Sequence, residues 1–381
     1  MPAGASLTIP QPITLEPDLA RLADQIAALP SAGVYALRAP PHAPYLSWSS
    51  NLRRRLTRLL LSTRSGASPI ARLRGSLTSL ECWPTGSRLE TSLLLYELSK
   101  IYYPDEYLAR LRLRLPWFVG LTNGDTFPRV RVVNRISRRN GPTYGPFPNR
   151  DAAQRYEQEL LGLFQIRRCT DSFTPDPQHP GCIYGEMNQC LRPCQSAVTP
   201  EEYGLEVWRV SEFLATNGKA SVAALSAARD RACEETDFEH AAQIHNRLEK
   251  VAVANAARDA VVKDIHQFNG VALTRAAGER QFRLWPMLAA LWQEPIALDF
   301  SAEEAHAKSL DSELRERITQ CLSAARTGGK PAEELALFSR WYFSSWRDGE
   351  WFPFGTPADL NYRRLVREIS KMVKAEAARP S

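Results

Sequence analysis

Four cysteines, Cys169, Cys182, Cys190 and Cys194, fall in one short window of a chain that holds seven. The last three are spaced Cys182-x7-Cys190-x3-Cys194, with Pro193 just before the final one. Thiolates gathered this closely suit a soft metal, because an iron–sulfur cluster or a zinc ion takes about four of them converging. The residues alone leave iron–sulfur and zinc both open. Disulfides would imply an oxidising compartment, and nothing else in the chain looks secreted. A second chemistry is written in Arg53, Arg54, Arg55 and Arg58, followed by Arg64, Arg72 and Arg74. Guanidinium groups repeated like this suit a phosphate-rich partner, with a solvated helix face as the ordinary alternative. Tyr35 and Tyr45 lie just upstream, where two aromatics on half-buried strands would also serve simple packing.

The elements that must position these residues are legible around them. Leu15 to Leu29 alternates charge with Leu, Ile and Ala at helical spacing and stops at Pro30, which predicts a lead-in helix. Gly33 to Leu37 and Tyr45 to Trp48 are two short strands joined by a Pro-rich turn. Ser49, Ser50 and Asn51 offer capping side chains to a helix from Leu52 with leucines on one face and arginines on the other. Arg129 to Val133 reads as a strand, with Arg135, Arg138 and Arg139 leading into an Asn140-Gly141-Pro142 turn. Asn149 to Phe164 is an amphipathic helix feeding the first cysteine. Residues 200–260 read as three helical segments, the first opened by Thr199-Pro200 and closed by Asn217-Gly218.

Composition sets the outer bounds. A length of 381 residues, 44% hydrophobic and 24% charged, predicts several buried cores in a soluble protein. Lys+Arg 48 against Asp+Glu 42 gives +6, an excess made informative by arginines concentrated toward the N-terminal half. No apolar run reaches the roughly 18 residues of a membrane span. Met1 to Thr14 lacks the basic start and apolar core of a signal peptide, so the expectation is a short flexible tail in a cytoplasmic protein.

At Gly33-Val34-Tyr35, Tyr45-Leu46-Ser47-Trp48, Asn51-Leu52 and Arg55 the chain resembles the GIY-YIG nuclease domain found at the N-terminus of the UvrC family of nucleotide excision repair. The resemblance continues through Tyr144-Gly145-Pro146-Phe147, Ile166-Arg167-Arg168-Cys169, Cys182 to Cys194, and Phe238-Glu239-His240-Ala241-Ala242. In plan it is similar to Cho, the short member of the family. The resemblance implies an α+β fold: a small GIY-YIG domain over 30–110 after an N-terminal tail and helix (1–29), a cysteine-rich region over 111–199, and a helical region with a UVR motif over 200–260. An α/β region of unassigned role would follow over 261–381. It implies Tyr35, Tyr45 and Arg55 as catalytic residues around a scissile phosphate, with Arg53, Arg54 and Arg58 contacting DNA. Cys169, Cys182, Cys190 and Cys194 would hold a 4Fe-4S cluster. Phe238, Glu239, Ala241 and Ala242 would dock on UvrB, although the same apolar stripe would serve an internal helical hairpin.

The chain departs from the family in that same pocket. Counting back from Lys100 and Pro104 puts Leu95 where the glutamate that holds Mg or Mn is expected. Glu97 is the nearest carboxylate, but two residues on a helix turn it about 200° away. Ser47, Trp48 and Leu59 replace the family's Gly, Lys and Tyr. The expectation is therefore a protein that binds damaged double-stranded DNA with UvrB and has an endonuclease fold with a weakened site, the competing reading being a non-catalytic scaffold. Past residue 260 a hairpin near Phe268 to Pro286 and helices around Ala302 to Arg326 and Ala332 to Trp346 are expected. Trp341, Trp346, Trp351 and Phe352 read as core or as a base-stacking surface.

Overall fold

A computed structural model describes residues 10–61, 74–136, 140–301 and 309–377. The expected DNA contacts at Arg64 and Arg72, and Arg138 and Arg139, lie outside the described residues. The fold is α+β, with three small antiparallel sheets. The described residues of Met1–Arg114 and Asn269–Ser381 form one compact unit, and Leu115–Phe268 a second.

The first sheet is built on strand β2. Strands β1 (Ile13–Thr14), β2 (Gly33–Arg38), β3 (Tyr45–Ser49) and β4 (Ser79–Pro84) run in the order β1-β4-β2-β3, all antiparallel. Alternation along β2 sends Tyr35 and Leu37 to one face and Val34 and Ala36 to the other, and all four are buried. Helices therefore cover both faces. On the Tyr35 side lie α1 (Leu19–Ala27), capped by Asp18, and α2 (Leu52–Leu56), capped by Asn51 and continued by a π-helical turn over Thr57–Leu61. On the Val34 side lies α3 (Arg88–Tyr102), started by Ser87, with the short α4 (Tyr107–Leu111) after it. Gly33 is required here, because a Cβ would collide with the Trp83 carbonyl of the neighbouring strand.

The second unit has its own sheet, β5 (Trp117–Thr122), β6 (Val130–Val133), β7 (Asn140–Phe147) and β8 (Lys263–Asp264), in the order β6-β5-β7-β8. The expected turn at Asn140-Gly141-Pro142 is corrected: these residues begin β7, with Thr143 paired to Gly120 and Asn140 to Thr122. The Tyr144-Gly145-Pro146-Phe147 motif is core, with Tyr144 and Phe147 buried and Gly145 pressed against the Phe118 ring. Helix α5 (Arg150–Leu163) packs Ala153, Tyr156 and Leu160 onto this sheet. A loop-rich segment follows, with a one-turn helix α6 (Ile183–Glu186). Three helices then run in succession: α7 (Pro200–Thr216), α8 (Lys219–Glu234) and α9 (Phe238–Ala256).

The chain then returns to the first unit. Strands β9 (Asn269–Arg275), β10 (Gln281–Leu288), β11 (Leu291–Trp292), β12 (Ile296–Asp299) and β13 (Gly349–Phe354) make an antiparallel sheet centred on β9 and β10. One face carries Val271, Leu273 and Leu284 against α10 (Leu310–Ser323) and α12 (Tyr362–Ala377). The other carries Trp351 and Trp292 against Phe338 of α11 (Pro331–Tyr342). Trp341, Trp351 and Phe352 are core, and of that aromatic group only Trp346 stays exposed.

Residues 269–377 are stitched onto α3 by polar contacts. Ser87 donates to the Thr274 hydroxyl at 3.1 Å, and Arg283 lies 3.0 Å from the buried Glu90 carboxylate, an ion pair whose angle falls short of a hydrogen bond. Tyr96 and Tyr107 donate to the Glu333 carboxylate at 2.7 and 2.8 Å, and Lys330 sits 3.1 Å from it. Two phenols and an ammonium satisfy a carboxylate that burial alone would make costly. Replacing Glu333 by Ala strands both hydroxyls, and the expected loss is about 2–4 kcal/mol of stability. Glu333→Gln, which keeps an acceptor, should lose less. Urea unfolding checks this, and an Ala variant within about 0.5 kcal/mol of the parent would contradict it.

Candidate functional site

The β2–β3 hairpin and α2 bring together three of the residues singled out in the sequence. Cross-strand pairing sets Tyr35 opposite Ser47 and Leu37 opposite Tyr45, so the two tyrosines share one face with ring centroids 6.3 Å apart. Asn51 accepts from the Arg54 N–H, which starts α2 at the turn that puts Arg55 over that face. The Arg55 Nε donates to the Tyr35 hydroxyl at 3.4 Å. Burial raises the Tyr35 pKa, with the Arg55 hydrogen bond opposing it, so the phenol stays a neutral donor at ordinary pH. The Arg55 pKa is raised in turn, chiefly by that hydrogen bond, and Tyr45 acts in the same direction. A fixed cation beside two phenol hydroxyls can hold phosphate oxygens.

Among the described residues no carboxylate joins them. Leu95 packs with Val34, Ala36, Trp83 and Leu98, the opposite face of the sheet from Tyr35. Glu97 is held by Lys100 at 3.1 Å and lines a cavity of about 230 Å³ with Leu93, Tyr96 and Trp285. Neither position faces Arg55. Leu59 belongs to the core beneath Tyr35. Ser47 replaces the family's glycine and lies directly opposite Tyr35 on the neighbouring strand. These residues do not fit a divalent-metal site.

Arg53, Arg54 and Arg58 are exposed on α2 and its continuation. Arg53 donates to the Leu29 carbonyl at 2.8 Å, and none of the three pairs with a carboxylate among the described residues.

Cys169, Cys182, Cys190 and Cys194 line one small pocket, with Arg167, Tyr184 and Pro193 around them. Four loop segments converge there. The Arg192 N–H points at Cys190 Sγ at 3.4 Å, and Arg167 Nη1 lies 3.9 Å from Cys169 Sγ. Burial pushes the Cys190 and Cys194 thiols up. Among the described residues no three His, Cys, Asp or Glu side chains are gathered as the ligands of one metal ion. Four thiols around one small pocket are a donor set that either an iron–sulfur cluster or a zinc ion would take. Arg167 has a role that spacing did not reveal. Its buried guanidinium donates to the Phe127 and Asp171 carbonyls at 2.8 and 3.0 Å, and Tyr203 accepts from its backbone N–H at 2.9 Å. The visible signal was an arginine set between Ile166 and the first cysteine.

Helices α8 and α9 form an antiparallel hairpin closed by Ala232, Ala241 and Ile244. Ala241 is therefore internal, whereas Phe238, Glu239 and Ala242 are exposed, Phe238 by 69%. Among the described residues no helix is long and apolar enough to cross a membrane.

Residues 116–213 match the family model described as the UvrC/Cho excinuclease middle domain. The chain is 30% identical over 219 residues to the UvrABC system protein C of Alcanivorax borkumensis, covering 57% of this chain and 35% of that protein. It is 29% identical over 271 residues to the same-named protein of Sphingopyxis alaskensis, covering 69% and 42%, and 30% over 235 residues to that of Trichlorobacter lovleyi, covering 60% and 38%. The chain thus spans roughly two fifths or less of the length of these relatives. No solved structure matches it. The matched middle domain carries the four-cysteine pocket and its Arg167 strap, and over these residues the chain is similar to the UvrC family.

Proposed function

We propose that this chain is a DNA-repair protein that binds damaged double-stranded DNA together with UvrB and holds the phosphate backbone in a nuclease-derived pocket without cutting it efficiently. The observation that carries this reading is the Tyr35–Tyr45–Arg55 group facing one side of the sheet while Leu95 packs on the other. Hydrolysis of a phosphodiester at neutral pH calls for a divalent ion to take up charge on the phosphate. Among the described residues no carboxylate stands where it could hold one beside Arg55, so no step through a metal is assigned. What Arg55, Tyr35 and Tyr45 do is donate to phosphate oxygens, with Arg53, Arg54 and Arg58 adding charge along the same helix.

Partner docking is assigned to the exposed side of the α8–α9 hairpin. Phe238 and Ala242 offer an apolar contact with Glu239 beside them, a combination that suits another helix. Cys169, Cys182, Cys190 and Cys194 are assigned to a 4Fe-4S cluster, which in a loop-rich segment supplies a clamp for chain that has little core of its own.

Two experiments test the reading. On an end-labelled lesion duplex preloaded with UvrB, the protein should bind equally in EDTA and in Mg or Mn, and leave the label uncut. Arg55→Ala should weaken DNA binding several-fold and flatten its salt dependence. Metal-dependent incision that disappears in Arg55→Ala would instead establish a working nuclease. For the cysteines, anaerobically purified protein should be brown, with absorbance near about 400 nm from thiolate-bound iron, and Cys190→Ala should bleach it. Colourless protein carrying zinc would overturn that assignment.

A further inference from the structure

Arg88 at the start of α3 stands between two exposed indoles. Its guanidinium carbon lies 4.4 Å from the centroid of Trp48 and 5.6 Å from that of Trp346. Trp48 and Trp346 are 37% and 40% exposed, whereas Trp83, Trp285, Trp292, Trp341 and Trp351 in the same unit are all buried. Exposing two large aromatics forgoes the burial that the others gain, and a solvated cation between them has no carboxylate partner among the described residues. The arrangement is held in place from below. Asp348 accepts from the Arg88 backbone N–H at 2.5 Å and from Trp341 Nε1 at 3.0 Å, which fixes the turn carrying Trp346 against the start of α3.

Its position on the sheet matters. Trp48 lies on β3, the edge strand, and pairs opposite Val34, so it points to the face opposite Tyr35 and Tyr45. Three residues beyond Trp48, the chain enters the arginine helix α2 at its Asn51 cap. A chain of nucleotides crossing this edge would meet arginines and phenols on one side and an indole–guanidinium–indole stack on the other. Flat, sequence-tolerant stacking beside unpaired positive charge is what an unpaired nucleic-acid strand requires, because each base has a π-face and each linkage a negative charge.

We propose that Trp48, Arg88 and Trp346 form a stacking platform for a single-stranded segment of nucleic acid. This rests on the DNA-binding reading above and adds to it a site for unpaired bases. Duplex DNA, with its bases stacked inside, has no use for the platform.

The test compares a fluorescein-labelled oligo-dT of about a dozen nucleotides with a labelled duplex of equal length, by anisotropy, using the full chain. Trp346→Leu should bind oligo-dT about tenfold more weakly, the scale of one lost base–aromatic stack, and bind duplex unchanged. Trp346→Phe, which keeps a ring, should retain most of the affinity. Equal oligo-dT binding by the parent and the Leu variant would overturn the platform. Parent protein that binds duplex but not oligo-dT would overturn the platform alone. Parent protein that binds neither would overturn the DNA-binding reading with it.

Discussion

The buried carboxylate of Glu333 is the constraint on which the first unit depends. A carboxylate removed from water must find donors, and here they come from Tyr96, Tyr107 and Lys330, two of them contributed by the N-terminal part of the chain. The polar register of α11 is thereby set: shifting it by one residue would break its contacts to Tyr96 and Tyr107 together. Glu334, next in sequence, accepts from the Trp292 backbone N–H at 2.6 Å and pairs with Arg326, so consecutive carboxylates anchor α11 to α3 on one side and to the last sheet on the other. The aromatic packing of Trp292, Phe338 and Trp351 then fills a space whose walls are already positioned.

The first sheet illustrates how strand alternation decides chemistry. One residue of register separates Tyr35, beneath Arg55, from Val34, beneath α3. The groups around Arg55 that could touch phosphate come from α2, β2 and β3 on the tyrosine side. Everything on α3 that faces the sheet meets Val34 and Ala36 instead. The two faces meet around the edge strand β3, which is short and polar at its end, as exposed edges in native sheets are.

Much of this was legible from residue types at close range. The β2–β3 hairpin, the Asn51 cap, the α5 cap at Asn149 and the three helices after residue 199 follow from local patterns, because caps and periodicity act within a few residues. The pocket ringed by Cys169, Cys182, Cys190 and Cys194 follows from spacing of one reactive residue type. What could not be read was any contact made across a long separation. Nothing in the residues around Glu333 announces Tyr96, 237 residues earlier. Asn140-Gly141-Pro142 carries turn residues yet joins β7, since pairing to Thr122 and Gly120 overrides local preference. The internal place of Ala241 beside Ala232 likewise depends on which helix it meets, not on its own stripe.

The absence, among the described residues, of a carboxylate beside Arg55 and the presence of the C-terminal sheet belong to one packing arrangement. The polar side chains of α3 are engaged: Glu90 with Arg283, Tyr96 with Glu333, Glu97 with Lys100 at the mouth of a cavity lined by Trp285 and Trp292. Leu95 and Leu98 complete the helix by filling the apolar seam under Val34 and Ala36. A glutamate at position 95 would place a carboxylate in a partly buried apolar seam, on the face of the sheet away from Arg55. Restoring a metal ligand there would therefore require the helix to rotate, and rotation would pull Tyr96 off Glu333 and Glu90 off Arg283. The helix that holds residues 269–377 in place thus presents apolar side chains to the sheet, and the proposed reading of binding without efficient cutting is argued from that packing.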